Sequence, residues 1–264
     1  MPTERLNGID LHWERTGSGP QLLMFNGSGS TIERMRPLMG VFASRFDVVL
    51  HDQRGLGRTE IPAGPYSMAD YAADAIALVD HLGWDTCRVV GISFGGMVAQ
   101  EFAVTVPDRV ERLALLCTSP GGDGGSSYPL HELRAMDADR RLEISTTIMD
   151  SRFTPEWLET HPADRMFVDG IASVDGPEPG SEAERGELEQ LGARRHHDVW
   201  DRLQAISAPT FIGAGRYDGI APLSNSESLA ERIPDAELHV YEGGHGFFAQ
   251  DPTAFPEILD FLAG

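Results

Sequence analysis

Short runs of apolar residues, each followed by a loop and a helical pattern, constrain this chain more than any other feature. "QLLMF" from Gln21, "FDVVL" from Phe46, "CRVVGI" from Cys87, "LALLC" from Leu113 and "TFIGAG" from Thr210 are nearly continuous rather than alternating. Such runs suit strands covered on both faces, which implies a mostly parallel sheet with helices on either side. The segments "GIDLHWERTG" and "AELHVY" read as two further strands. Helical spacing appears in "RMRPLMGVFASR", in Phe94 to Thr105, in "LSNSESLAERI" and from Pro252 to Leu262. The clearest helix begins at Ser67, an N-cap with Asp70 three residues on, and stops at Gly83. It places Met68, Tyr71, Ala72, Ala75, Val79 and Leu82 on one face.

The alternation lapses near Ser119 and resumes with "APTFIGAG". Between them come "GGDGGSS", broken helical stretches and the acidic run "DGPEPGSEAERGELEQ". The strands on either side need each other to complete one sheet, so an insertion fits better than a second domain. We therefore expect an α/β core of residues 1–120 and 201–264, with residues 121–200 as a helical cap.

Charge narrows the partners. With 41 acidic against 21 basic side chains the formal charge is −20, which repels nucleic acid and anionic membranes. No apolar stretch reaches the length of a membrane span, and "MPTERLNGID" lacks a signal-peptide pattern. A cytoplasmic location, as monomer or homodimer, is the expectation. Cys87 and Cys117, at the start of one strand and the end of the next, are too far offset for a disulfide and are expected as buried thiols.

One loop carries chemistry. "GISFGG" sets Ser93 between Gly91 and Gly95 where a strand meets a helix, the setting of a nucleophile elbow. A serine hydroxyl needs a base, and the base needs a carboxylate to fix its tautomer. Asp218 in "GRYDG" and His245 in "EGGHGFF" follow the last two strands in that order. The amide of Phe94, next after the nucleophile, and that of Ser28 in "FNGSGS" are the expected oxyanion donors. Asp123, after an earlier strand, is the competing acid. Activity should fall on acidification as the histidine base takes up a proton.

With "NGSG", "DQRGLGRT", the elbow, "GRYDG" and "GGHGFF" in one order, nearly the whole chain resembles the α/β-hydrolase superfamily. It looks most like small microbial carboxylesterases, 3-oxoadipate enol-lactone hydrolases and cofactor-free haloperoxidases. The resemblance implies hydrolysis of a small or medium-sized carboxylic ester or lactone through an acyl-enzyme, without cofactor or metal. It also implies that Asp52 and Arg54 support the fold. A perhydrolase or C–C hydrolase using the same triad, or a ligand receptor on this fold, are the alternatives. Serine rather than aspartate at 93 argues against epoxide hydrolases and haloalkane dehalogenases, and Gly246 stands where C–C hydrolases carry tryptophan. Asn26 stands where many relatives have histidine.

The glycines of "GAGRYDG" miss dinucleotide-loop spacing, and the adjacent His196 and His197 are expected to be solvated or capping rather than metal ligands. Met136, Met149, Phe153, Trp157, Met166 and Phe167 either line an apolar pocket over Ser93 or pack within the cap.

Overall fold

A computed structural model describes residues 3–172 and 176–264, with Ile171 and Ala172 described as backbone only. Met1, Pro2 and Asp175, the first residue of the acidic run, lie outside the described residues. Eight strands form one sheet: β1 (Thr3–Leu6), β2 (Ile9–Gly17), β3 (Gln21–Phe25), β4 (Asp47–His51), β5 (Cys87–Ile92), β6 (Val110–Leu116), β7 (Thr210–Gly215) and β8 (Ala236–Tyr241). Their order is β1-β2-β4-β3-β5-β6-β7-β8. The β1–β2 and β2–β4 pairs are antiparallel, and every other pair is parallel.

Side-chain alternation divides the core in two. Leu23, Phe25 and Val89 face α2 (Met68–His81), α3 (Phe94–Thr105) and α8 (Leu223–Arg232). Leu22, Met24 and Val90 face α1 (Ile32–Ala43) and α10 (Ala254–Ala263). The helix beginning at Ser67 has its full capping box: Ser67 Oγ accepts from the Asp70 amide and Asp70 accepts from the Ser67 amide at 2.9 Å. Leu78 is buried on its inner face, whereas Leu82 is only half-buried.

Three boundaries differ from expectation. Helix α1 starts at Ile32, because the Ile32 amide donates to Asp52 Oδ1 at 2.7 Å and this fixes its first turn. The last helix starts at Ala254, after the separate short turn α9 (Phe247–Gln250). Strand β1, absent from the sequence reading, is half-exposed and short, so its apolar content is low. Cys87 and Cys117 are buried free thiols, and burial pushes the Cys87 thiol up to about 12.

Between β6 and β7 lie α4 (Ala138–Met149), α5 (Pro155–Thr160), α6 (Pro162–Ala172) and α7 (Glu182–Arg195). Strand order positions the site. From β3 the chain passes through α1 to β4 on one side; from β5 it passes through α3 to β6 on the other. The loops after β3 and β5 therefore diverge at the carboxyl edge, where such sheets open a crevice.

Candidate active site

At that crevice Ser93 has φ 56° and ψ −117°, a left-handed backbone that is strained for a residue bearing a Cβ. Three contacts hold it there. The Ser93 amide donates to Leu116 O at 2.8 Å, and Ser93 O accepts from the Gly96 amide at 2.9 Å and from Thr118 Oγ1 at 2.8 Å. The flanking glycines are steric requirements. A Cβ on Gly95 would lie 2.7 Å from Asn26 O, and one on Gly91 would lie 2.7 Å from the Ala99 Cβ. Only hydrogen at these positions lets α3 begin so close to β3.

The structure brings the three candidate triad side chains into one line. His245 Nε2 is 2.9 Å from Ser93 Oγ, and His245 Nδ1 is 2.8 Å from Asp218 Oδ2. Asp218 is fully oriented, since its other oxygen accepts the amides of Ile220 and Ala221, each at 2.8 Å. A carboxylate held this way keeps the Nδ1–H tautomer and leaves Nε2 facing the serine as acceptor. His245 is fixed from the insertion as well, because its amide donates to Met149 O at 2.6 Å. Asp123 is exposed in a 3-10 turn, Gly122–Gly124, and makes no hydrogen bond to His245.

The loop carrying Ser28 lies against the elbow: a Cβ on Gly27 would be 3.6 Å from the Ser93 Cβ. Asn26 is buried and braces this loop, its Nδ2 donating to Ser30 O and its Oδ1 accepting from Gln53 Nε2 at 2.7 Å. Gln190 of α7 accepts the Gly29 amide at 2.8 Å, tying the loop to the insertion. Gln53 and Gln190 were not singled out in the sequence, where one sits in a turn motif and the other in an acidic helix. Asp52 accepts the amides of Ile32 and Arg58, and Arg54 grips Asp74 through two bonds of 2.7 Å. Asp52 thus holds its own turn together, and Arg54 ties that turn to α2.

The six apolar candidates separate. Met149 lines a cavity of about 760 Å³ between α4, α6 and α7, and Phe167 lies over Gly246 beside His245. Phe153 is buried against Phe167, and Met136 packs with Leu133 and Ile148. Met166 meets neither expectation, whereas Trp157 takes the packing role. Met166 is 76% exposed, because adjacent positions on a helix point about 100° apart and Phe167 takes the inner one. Trp157 stacks on His161 at 3.7 Å and donates to Asp164 at 2.7 Å, which commits it to packing between α5 and α6. His197 is corrected too: His196 caps α7 as expected, but His197 is buried, and burial pushes it down to about 4.

Comparison with known proteins adds the following. The family described as alpha/beta hydrolase fold matches residues 20–252. The RutD protein of Caulobacter segnis, provisionally named a carbamate hydrolase, is 30% identical over 100% of both chains. The 3-oxoadipate enol-lactonase 2 of Acinetobacter baylyi is 28% identical over 91% of this chain and 87% of its own. Among solved structures, the enol-lactonase from Burkholderia xenovorans superposes with a TM-score of 0.80 over 100% of both chains at 22% identity, a likeness of fold. Among the described residues no helix is long and apolar enough to cross a membrane.

Proposed function

The chain belongs to the α/β-hydrolase fold family, and on that premise we propose that it is a serine hydrolase of small or medium-sized carboxylic esters or lactones. The observation that carries this reading is the unbroken line from Ser93 Oγ through His245 to Asp218, with heavy-atom distances of 2.9 and 2.8 Å. Both are within reach for proton transfer.

In this mechanism Ser93 Oγ attacks the substrate carbonyl while its proton passes to His245 Nε2. Asp218 stabilises the imidazolium and does not itself become protonated. The amides of Ser28 and Phe94 would receive the oxyanion, each donor contributing on the order of 3 kcal/mol to the transition state. The histidine proton then goes to the departing alcohol, or to the alkoxide end of an opened lactone. A water deprotonated by the same nitrogen hydrolyses the acyl-enzyme and returns Ser93. The segment 121–200 acts as a cap: through Met149 O and Gln190 it holds both His245 and the Gly29 loop, so its packing would bear on both halves of the site.

Hydrolysis of p-nitrophenyl acetate by wild type and by Ser93→Ala tests this reading directly. A loss on the order of 10⁴-fold or more is expected, together with a fluorophosphonate adduct found on Ser93 by mass spectrometry. Equal rates, or an adduct elsewhere, would overturn it. Names among the relatives extend the panel that follows to lactones and carbamates.

A further inference from the structure

We infer that a second, smaller cavity beside the elbow receives the carboxylate of an anionic substrate, with Arg194 as its two-pronged partner. This rests on the hydrolase reading above. The cavity holds about 130 Å³ and lies between the end of α7 and the loop after β6, with Met97, Ser119, Arg194 and His197 among its walls. Met97 donates its amide to Ser93 O, and Ser119 follows Thr118, whose hydroxyl donates to that same oxygen. The cavity thus begins one helical turn from the nucleophile, about 6 Å along α3.

Arg194 is 6% exposed, and only its Nη1 has a partner, Tyr128 O at 2.6 Å. Its Nε and Nη2 are buried with no hydrogen-bond partner. These two atoms form the edge of a guanidinium that grips a carboxylate with two parallel bonds. Elsewhere in the chain that edge is used in just this way: Arg15 holds Asp47, Arg54 holds Asp74 and Arg152 holds Asp150 through Nε and Nη2. At Arg194 the same fork is unused, and the residue stands in the wall of a cavity whose lining carries two arginines and two histidines, and no acidic residue. In a chain with twice as many acidic as basic side chains, such a lining selects for an anion from outside.

Two neighbours sharpen the fit. Burial pushes the guanidinium down to about 10, so it remains cationic at neutral pH, and the carboxylate charge acting on it is that of Asp218. Asp218 is already committed to His245 and to two amides, and does not bond to Arg194. Burial also keeps His197 neutral at that pH, and its ring N–H faces the Ser119 carbonyl, so it adds no second cation beside Arg194. The larger cavity differs in its lining, since it contains Glu184 and Glu187, which pair with its Arg134 at 3.1 and 3.7 Å.

The test compares the mono-p-nitrophenyl ester of glutaric acid with its neutral methyl ester. In wild type kcat/KM should favour the charged ester by about tenfold to a hundredfold. That ratio should be lost in Arg194→Met and reduced in Arg194→Lys, which keeps the charge without the fork. Glutarate titrated calorimetrically into Ser93→Ala should bind, and should fail to bind the Ser93→Ala, Arg194→Met double variant. If wild type shows no preference, or if the preference survives Arg194→Met, the inference is overturned. If neither ester is hydrolysed, the hydrolase reading falls on its own, and glutarate binding then decides for or against the Arg194 fork.

Discussion

Arg54 and Arg194 are buried to nearly the same extent, 8% and 6% exposed, yet they are treated in opposite ways. Arg54, in the turn after β4, meets Asp74 with two bonds and stacks on Tyr66. Arg194, at the end of the insertion's last helix, spends one nitrogen on a carbonyl and leaves its fork open. The contrast is one of charge, since neutral atoms such as Tyr71 Oη and Gln53 Oε1 are buried without a partner in the core as well. In the sheet core Asp52 and Asp218 have both oxygens engaged. The insertion contains exposed Leu142, Met166 and Leu188, the unpartnered Gln190 Nε2, and much of the lining of both cavities near the site. A buried charge whose partner lies within the chain serves the fold, whereas one without a partner there has been kept for something that arrives.

The largest effect that would sharpen this division is on the chemistry anchored in the core. Asp218→Asn should lower kcat about 10⁴-fold while leaving the structure intact, because the amide favours the wrong histidine tautomer; kcat on p-nitrophenyl acetate measures it. Next comes the buried pair. Arg54→Met should cost about 3 to 5 kcal/mol in urea unfolding, since it strands Asp74 with only Asn7 as a side-chain donor. A stability change below about 1 kcal/mol there would erase the distinction between the two arginines.

Acid separates the regions less sharply, because burial pushes a histidine down in each. His51 of the core and His197 of the insertion are both pushed by burial from 6.5 to about 4. Between those values the unfolded chain binds more protons than the folded one. Stability is therefore complete above about pH 6.5 and is lost as pH falls towards 4, by on the order of 3 kcal/mol for each histidine. Thermal unfolding across this window should show the loss, and His197→Gln should remove part of it.

The smallest expected effects come from two glycines. Gly95→Ala places a Cβ against the Phe25 carbonyl and Asn26 O and should destabilise by about 2 to 3 kcal/mol. Gly192→Ala, within α7 with nothing inside 4 Å of the added carbon, should stabilise by about 0.5 to 1 kcal/mol. Opposite shifts in urea midpoints, the loss at Gly95 being the larger, would fit the division; a loss at both positions would not.

Much of the core was legible because its signals are local. Continuous apolar runs mark strands buried on both faces, Ser67 and Asp70 announce their helix, and a serine among glycines at a strand end announces the elbow. Asp218 and His245 were legible because parallel strands put every following loop at one edge, so order along the chain becomes proximity in space. The insertion was much less legible. Its helices are short, its sequence is polar, and which face of α6 turns inward depends on where Gly246 lies, a neighbour some eighty residues away. Sequence alone therefore determined seven of the eight strands, the elbow and the residues that follow the strands of the crevice, since each is written in a few consecutive positions. Only tertiary structure decided that Met166 faces outward, that Gln190 holds the Gly29 loop and that Arg194 keeps an open fork, because burial and pairing there depend on what distant segments bring to the same place.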